Sequence, residues 1–372
     1  MQASKVYFTD MRTRDGNSLL DKLERLIKKA GIEQIDFSGR YAAIKIHFGE
    51  PGNLSSLRPN FAKVVATTVR QLGGRPFLTD CNTLYVGERS NALDHLSAAA
   101  TNGFSYESCG CRLIIADGLK GTDEAIVPLT GTRHVTEAKI GHAVMDADIF
   151  ISLNHFKGHE AAGFGGALKN TGMGCGSRAG KMEQHCSGKP TVSAKACRLC
   201  KQCAKQCAHE AISFDSKTAR IDHARCVGCG RCIGACNFHA IVNHTDSTNT
   251  ILCEKIAEYA LAVLKDRPHF HISIVNQVSP YCDCHAQNDL PIIPDVGMLA
   301  SFDPVALDQA CADLCNAQQP LPGSALDDNL RAGSDRHDHF SDTFPATDWR
   351  ATLRHAEALG IGSTRYTLVT VK

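Results

Sequence analysis

Between Cys197 and Cys236 the chain carries two copies of one cysteine run: Cys197, Cys200, Cys203 and Cys207, then Cys226, Cys229, Cys232 and Cys236. Each copy reads C-x-x-C-x-x-C-x-x-x-C, and each cysteine of the first lies 29 positions before its counterpart in the second. The same offset carries Ala211 and Ile212 onto Ala240 and Ile241, so the repeat extends past the cysteines.

This spacing is the one that holds cubane iron–sulfur clusters in bacterial two-cluster ferredoxins, which residues 190–244 resemble. Three thiolates on a tight loop can face three corners of one cluster, while a short helix carries the fourth toward the other cluster. The resemblance implies one 4Fe–4S cluster on Cys197, Cys200, Cys203 and Cys236, and a second on Cys226, Cys229, Cys232 and Cys207. A zinc site would prefer two C-x-x-C pairs with a longer spacer. The sequence departs from those ferredoxins in placing Ala208 and Asn237, where they often have proline, after each fourth cysteine. The 55 residues from 190 to 244 are too few for a self-sufficient hydrophobic core, so their folding should depend on the bound clusters.

The full length of 372 residues suggests more than one domain. With 40 basic and 39 acidic residues, no global charge draws the chain to nucleic acid or to a membrane surface. Met1 to Asp10 lacks an apolar signal core, and no run of about 18 apolar residues offers a membrane span. Eighteen cysteines with eight in cluster spacing fit a reducing, cytoplasmic setting with little oxygen better than a disulfide scaffold.

Outside the cysteine runs, short apolar strands alternate with amphipathic helices. Strands are expected at 6–9, 41–47, 76–79, 113–116, 147–153, 271–276 and 366–371. Helices are expected at 19–30, 61–72, 92–100, 251–264, 304–315 and 348–359, and Gly333–Phe344 reads as a surface loop. Such alternation predicts an α/β fold with a mainly parallel sheet flanked by helices. Residues 1–189 and 245–372 then form the two parts of one α/β host domain, and residues 190–244 a small inserted α+β two-cluster ferredoxin-like domain. Ligand sites in these sheets lie at the carboxyl ends of the strands. There His47, Glu50, Asp80, Cys81 and Asn154 to His159 gather.

Asn154 to Cys175 combines His155, Lys157, His159 and Lys169 with six glycines, and reads as a polar loop after a strand. His155, His159 and Lys169 are the candidate catalytic residues, His159 as proton donor and Lys169 as anchor for a small anionic ligand. Gly163, Gly165, Gly166 and Asn170 are the candidate cofactor-binding residues, because glycines let a backbone approach an anion closely. Cys282 and Cys284, followed by His285, form a C-x-C pair that can chelate a third metal or cluster. Cys175, His185 and Cys186 are close enough in sequence to contribute to such a site, whereas Cys311 and Cys315, one helical turn apart, read as small core residues.

The stretches His155–His159 and Gly163–Asn170, the cysteine runs, Cys282–Cys284 and the segment 297–308 together resemble the iron–sulfur proteins of the family called "domain of unknown function 362". That resemblance implies an α/β fold and iron–sulfur content and brings no agreed substrate. A remoter similarity, to nickel-pincer lactate racemases, rests on His159, Gly163–Gly166 and Lys169; in those enzymes the histidine transfers a proton and the lysine holds the cofactor. No other pincer ligand is evident here, so only the idea of a polar ligand pocket carries over. The expected function is electron transfer through two 4Fe–4S clusters, to a redox partner protein or to a pocket in the host. The alternatives are an iron–sulfur oxidoreductase with its active site at His155–Lys169, or a metal or cluster maturation factor. No G-x-x-x-x-G-K-[ST] run supports a nucleotide-dependent kinase.

Overall fold

Eight strands form one sheet: β1 (Ser4–Asp10), β2 (Tyr41–Lys45), β3 (Arg75–Asp80), β4 (Arg112–Ile115), β5 (Ile149–His155), β6 (His269–Val275), β7 (Gly297–Ser301) and β8 (Tyr366–Thr370). The structure is a computed structural model that describes residues 3–84, 87–185, 189–207, 209–226, 228, 231–236, 238, 240–243 and 249–372. In space the strands run β8-β1-β7-β6-β5-β2-β3-β4. Five neighbouring pairs are parallel, and the two antiparallel ones both involve β7. The expectation of a mainly parallel α/β sheet therefore holds. The strand β7, which the sequence reading did not recognise, makes the sheet mixed.

The larger helices are α1 (Leu19–Lys29), α2 (Pro59–Gln71), α3 (Ala92–Thr101), α4 (Ala167–Cys175), α5 (Arg178–His185), α6 (Asn249–Leu264), α7 (Pro304–Asn316) and α8 (Trp349–Ala358). Their starts are chemically marked. Ser18 and Asp21 close a capping box on α1, and Asn91 accepts two amide hydrogen bonds ahead of α3. Asp303 caps α7 directly before Pro304.

Both faces of the sheet are covered, and strand residues alternate between them. Ile149, Ile151 and Leu153 of β5 join Ile44 and Ile272 in a core under α1 and α2, where Leu23, Leu26, Phe61 and Val65 are buried. Phe150 and Ala43 point to the opposite face, against Tyr259 and Val263 of α6. Beside them Leu168, Ala257, Leu299 and Val305 pack α4, α6 and α7 together.

Two irregular readings of the sequence are corrected. Asn154–Cys175 is not a loop: Asn154 and His155 end β5, Lys157–His159 pairs with Gly163–Gly165 as a hairpin, and α4 follows. Its glycines serve contacts. A Cβ at Gly172 would overlap the carbonyl of Ile256 on α6, and one at Gly158 the carbonyl of Pro280. Gly333–Phe344 is not only surface loop, since His339–Thr343 is helical and Phe340 is fully buried. Phe340 stacks edge-on between Phe156 and Phe164, which gives that helix its reason to fold inward.

The segment from 190 to 243 pairs Pro190–Val192 with Ile241–Asn243, and Ile212–Phe214 with Ala219–Ile221. Its short helices are Gln202–Lys205 and Arg231–Gly234. The 29-residue offset maps each element of the first half onto one of the second, and the strand pairs form crosswise between halves. Ser193 N donates to Ala240 O at 2.7 Å, and its counterpart Asp222 N donates to Ala211 O at 2.8 Å. The main sheet takes β1–β5 from before this segment and β6–β8 from after it. Among the described residues no helix is long and apolar enough to cross a membrane.

Gly172→Ala tests the contact between α4 and α6. Helix propensity alone would make it stabilising by about 1 kcal/mol. Overpacking against Ile256 should instead destabilise by about 1–3 kcal/mol, seen as a lower midpoint in urea unfolding.

Candidate functional site

The strand order reverses between β2 and β5: β3 and β4 continue outward on one side, β6 on the other. A recess opens at the carboxyl ends of these strands, the place where open α/β sheets bind ligands. β2 contributes Lys45 and, just beyond its end, His47; β3 ends in Asp80, followed by Cys81; and β5 ends in His155. The hairpin adds Lys157 and His159, α4 adds Lys169, and α5 adds Lys181 and His185.

Two buried carboxylates balance part of this positive charge. Asp80 Oδ1 lies 2.9 Å from Lys45 Nζ, and its other oxygen 3.6 Å from His95 and 3.8 Å from Arg89. Burial alone would raise the Asp80 carboxyl, but Lys45 and His95 hold it well below the usual carboxylate range. Arg89 also binds Glu50 at 2.8 Å and approaches His47 Nε2 at 3.1 Å. Burial and the Arg89 charge hold His47 well below the ordinary histidine value. The remaining nitrogen of Arg89, Nη2, is buried without a hydrogen-bond partner among the described residues.

Asp283 is the second carboxylate. Its Oδ1 lies 2.9 Å from His155 Nδ1 and its Oδ2 3.3 Å from Lys157 Nζ. The other ring nitrogen of His155 meets the carbonyl of Asn276 at 2.8 Å. Both nitrogens of His155 are therefore occupied by acceptors, which fixes the ring and leaves it no open edge toward a ligand. Burial opposes ionisation of Asp283, yet His155 and Lys157 lower its carboxyl far below the usual range.

His159 is held differently. Its Nδ1 accepts amide hydrogen bonds from Ala161 at 3.0 Å and Ala162 at 3.1 Å, so the ring proton sits on Nε2. Lys169 Nζ lies 3.6 Å from Cys282 Sγ. A hydrogen bond from the Cys284 thiol, against burial and with help from Lys169, Lys157 and His159, holds Cys282 well below the ordinary thiol range. Cys284 is pushed up because it shares that hydrogen bond. Beside it His285 Nε2 meets Glu160 Oε1 at 2.8 Å. The structure thus brings His159, Lys169 and Cys282 together, with His155 and Lys157 behind them.

The glycines do less for a ligand than the sequence suggested. The first amides of α4, on Ala167 and Leu168, donate to the Asp308 carboxylate at 2.6 and 2.9 Å. A Cβ at Gly166 would overlap that carboxylate, so the anion cradled at this helix end is the chain's own Asp308. Burial pushes the Asp308 carboxyl up to about 7, while the two amide bonds work against it. Gly163, at φ +79°, packs against Trp349. Gly165 and Gly166 line the recess, as does Asn170, but the Asn170 side chain is committed to Lys45 and to Asn154 Oδ1, both at 2.8 Å. Cys311 and Cys315 are core residues of α7, as read, and Cys175 is buried at the end of α4.

Of the eight cysteines in the two runs, Cys229 lies outside the described residues, as does Cys186. Cys197, Cys200, Cys203 and Cys236 line one recess. Cys207 Sγ accepts an amide hydrogen bond from Ala211 at 3.3 Å, and Cys236 Sγ the equivalent one from Ala240 at 3.2 Å. Cys197 Sγ accepts from Ala219 at 3.4 Å. Within the second run, Ile233 packs onto Leu84 and Met182, and Leu84 lines the large recess.

Sequence reasoning missed Lys45, Arg89, Glu160, Lys181 and Asp283 as site residues. A lysine inside the apolar run Tyr41–Ile46 was the clearest available signal for Lys45, and Asp283 lay hidden between the two cysteines.

A family model described as "Domain of unknown function (DUF362)" matches residues 42–313. No curated protein matches the chain. Among solved structures, the lactate racemase apoprotein from Thermoanaerobacterium thermosaccharolyticum is 10% identical, with a TM-score of 0.38. That match covers 73% of this chain and 51% of the racemase. A protein from Thermotoga maritima is 12% identical at a TM-score of 0.38, over 80% of this chain and 57% of the other. The chain thus spans little more than half the length of the structures it matches.

Asp283→Asn should destabilise the protein by about 3–5 kcal/mol, because it leaves His155 and Lys157 buried without a counter-charge. Glu24→Gln, which breaks the half-exposed pair with Lys28, should stay within about 0.5 kcal/mol in the same thermal or urea unfolding measurement.

Proposed function

This chain belongs to the DUF362 family, and we propose that it is an iron–sulfur protein whose two 4Fe–4S clusters serve a ligand pocket in its own α/β body. The observation that carries this reading is the seat of Ile233. It lies within the second cysteine run and packs on Leu84 and Met182, and Leu84 is itself a wall of the recess. One layer of side chains separates the cysteine-rich segment from the pocket.

The residues present fit the clusters. Four cysteines from both runs surround one recess, and the amides of Ala211, Ala219 and Ala240 point at cysteine sulfurs, where they would stabilise thiolate charge. Cys197, Cys200, Cys203 and Cys236 would hold one cluster, and Cys226, Cys229, Cys232 and Cys207 the other. Bound clusters supply one-electron chemistry, at potentials anywhere from roughly −700 to +450 mV.

The chain's own side chains define what the pocket accepts. Lys169 and Lys181 line it with no carboxylate partner among the described residues, so a small anion is favoured. His159 presents the Nε2 proton, held in that tautomer by Ala161 and Ala162. Asp283 and His155 fix Lys157 behind it, so His155 acts as a positioning residue. Electrons from a redox partner protein and a proton from His159 would meet on the ligand, which makes a pocket-based iron–sulfur oxidoreductase the form of the function these contacts favour over a pure electron wire.

Anaerobic reconstitution should give about eight irons per chain, and Cys236→Ser should reduce that to about four by removing one of two paramagnetic signals. Zinc in place of iron at these cysteines would sink the reading. Lys169→Ala should keep about eight irons yet weaken phosphate or acetate binding about tenfold by calorimetry, a loss of about 1.4 kcal/mol. Unchanged anion affinity would remove the pocket from the function.

A further inference from the structure

Cys282 and Cys284 are separated by one residue and share a hydrogen bond, yet their other neighbours differ. Cys282 Sγ faces Lys169 Nζ at 3.6 Å. Cys284 instead sits with Glu160 and His285, and one ligand atom from each of these three lies within 4.8 Å of the other two. We infer that Glu160, Cys284 and His285 form a mononuclear site for a borderline divalent transition-metal ion, zinc being the best fit, on the wall of the anion recess.

The donor set argues for that class of ion. One thiolate, one imidazole and one carboxylate suit zinc and its neighbours, whereas magnesium and calcium require an all-oxygen shell. Ligand bonds of about 2.0–2.3 Å in a tetrahedron put donor atoms roughly 3.3–3.8 Å apart. Drawing in a set that already lies within 4.8 Å takes only small side-chain rotations. At present His285 Nε2 is hydrogen-bonded to Glu160 Oε1 at 2.8 Å, and a metal would replace the proton they share. The second oxygen, Glu160 Oε2, is buried with no hydrogen-bond partner among the described residues. An acceptor left in that condition is expected where a cation binds.

The surroundings hold the three residues in place. Glu160 directly follows the hairpin strand Lys157–His159, which is pinned to its partner strand. The His285 amide donates to Cys282 O at 3.0 Å, its carbonyl accepts from Asn53 Nδ2 at 3.0 Å, and its ring meets Tyr281 edge-on. Three protein ligands leave a fourth position open, the arrangement of catalytic rather than structural zinc. Cys284 lines the recess together with Lys169, so an ion held by Cys284 would border the same space. An anionic oxygen entering the recess could then bind the ion at one end and a lysine at the other.

This goes beyond the iron–sulfur reading and does not need it, since none of the three residues lies in the repeat. It is also narrower than chelation by the C-x-C pair, because it leaves Cys282 out of the ligand set. The test uses the full chain, reconstituted anaerobically, equilibrated with zinc and freed of loose metal by gel filtration. About one zinc per chain is expected, with an absorption-edge spectrum fitted by one sulfur near 2.3 Å and nitrogen or oxygen near 2.0–2.1 Å. Glu160→Gln, Cys284→Ser and His285→Ala should each weaken zinc binding 100-fold or more, while Cys282→Ser retains it. Glu160→Gln preserves shape, so an unchanged melting temperature separates ligand loss from misfolding. No zinc, zinc indifferent to these variants, two sulfurs around the ion, or loss with Cys282→Ser would each overturn the site. About eight irons with no zinc would overturn this inference alone, and zinc with no iron would overturn only the cluster reading.

Discussion

The carboxylate of Asp283 is the contact on which the arrangement of the recess depends. It lies fully buried, so ionising it is unfavourable unless cations approach closely, and His155 and Lys157 both do. Through His155 it is tied to the carbonyl of Asn276 just beyond β6, and its own carbonyl accepts the amide of Glu50 from the loop after β2. One residue therefore links the ends of three strands. It also fixes the backbone on either side of itself, which decides that Cys282 looks toward Lys169 and Cys284 toward Glu160. Asp80 does the same for the other half of the recess through Lys45, Arg89 and His95. Lys169 and Lys181 line the recess with no carboxylate partner among the described residues.

The cysteine-rich segment obeys a different logic, that of repetition. Equivalent hydrogen bonds recur at the 29-residue offset, and each pairing crosses from one half to the other. Cys236 consequently sits with the thiols of the first run. Its small apolar core, Ile212, Phe214, Ala219 and Ile241 among others, includes four of the cysteines themselves. A core this small is expected to need further cross-linking of its thiols to be stable.

Much of the scaffold could be read from sequence because its signals are local. Runs such as Ile149–Leu153 and caps such as Asn91 or Asp303 specify their own elements. The strand Gly297–Ser301 escaped notice because Gly, Met, Ala and Ser carry no β-branched signature; its pairing with β1 and β6 decides its state. Helix α4 escaped because Gly172 and Gly174 are poor helix formers, and contact with α6 overrides that preference. The histidines and lysines of the site were visible, whereas their partners were not. Asp283, Glu160 and Asp308 lie 128, 125 and 141 positions from the residues they contact, and no spacing rule reaches that far.

The pairing of Pro190 with Asn243 brings the two ends of the cysteine-rich segment side by side. A piece of chain that leaves and re-enters at one point closes its own loop and asks no strand of the main sheet to move. Over evolutionary time such a piece can be acquired, exchanged or lost while the surrounding sheet keeps its register. The recess and the cysteine-rich segment then need not have arisen together. Relatives that keep the Lys45, Asp283 and Lys169 framework with a different segment at this point would be variants of one chassis.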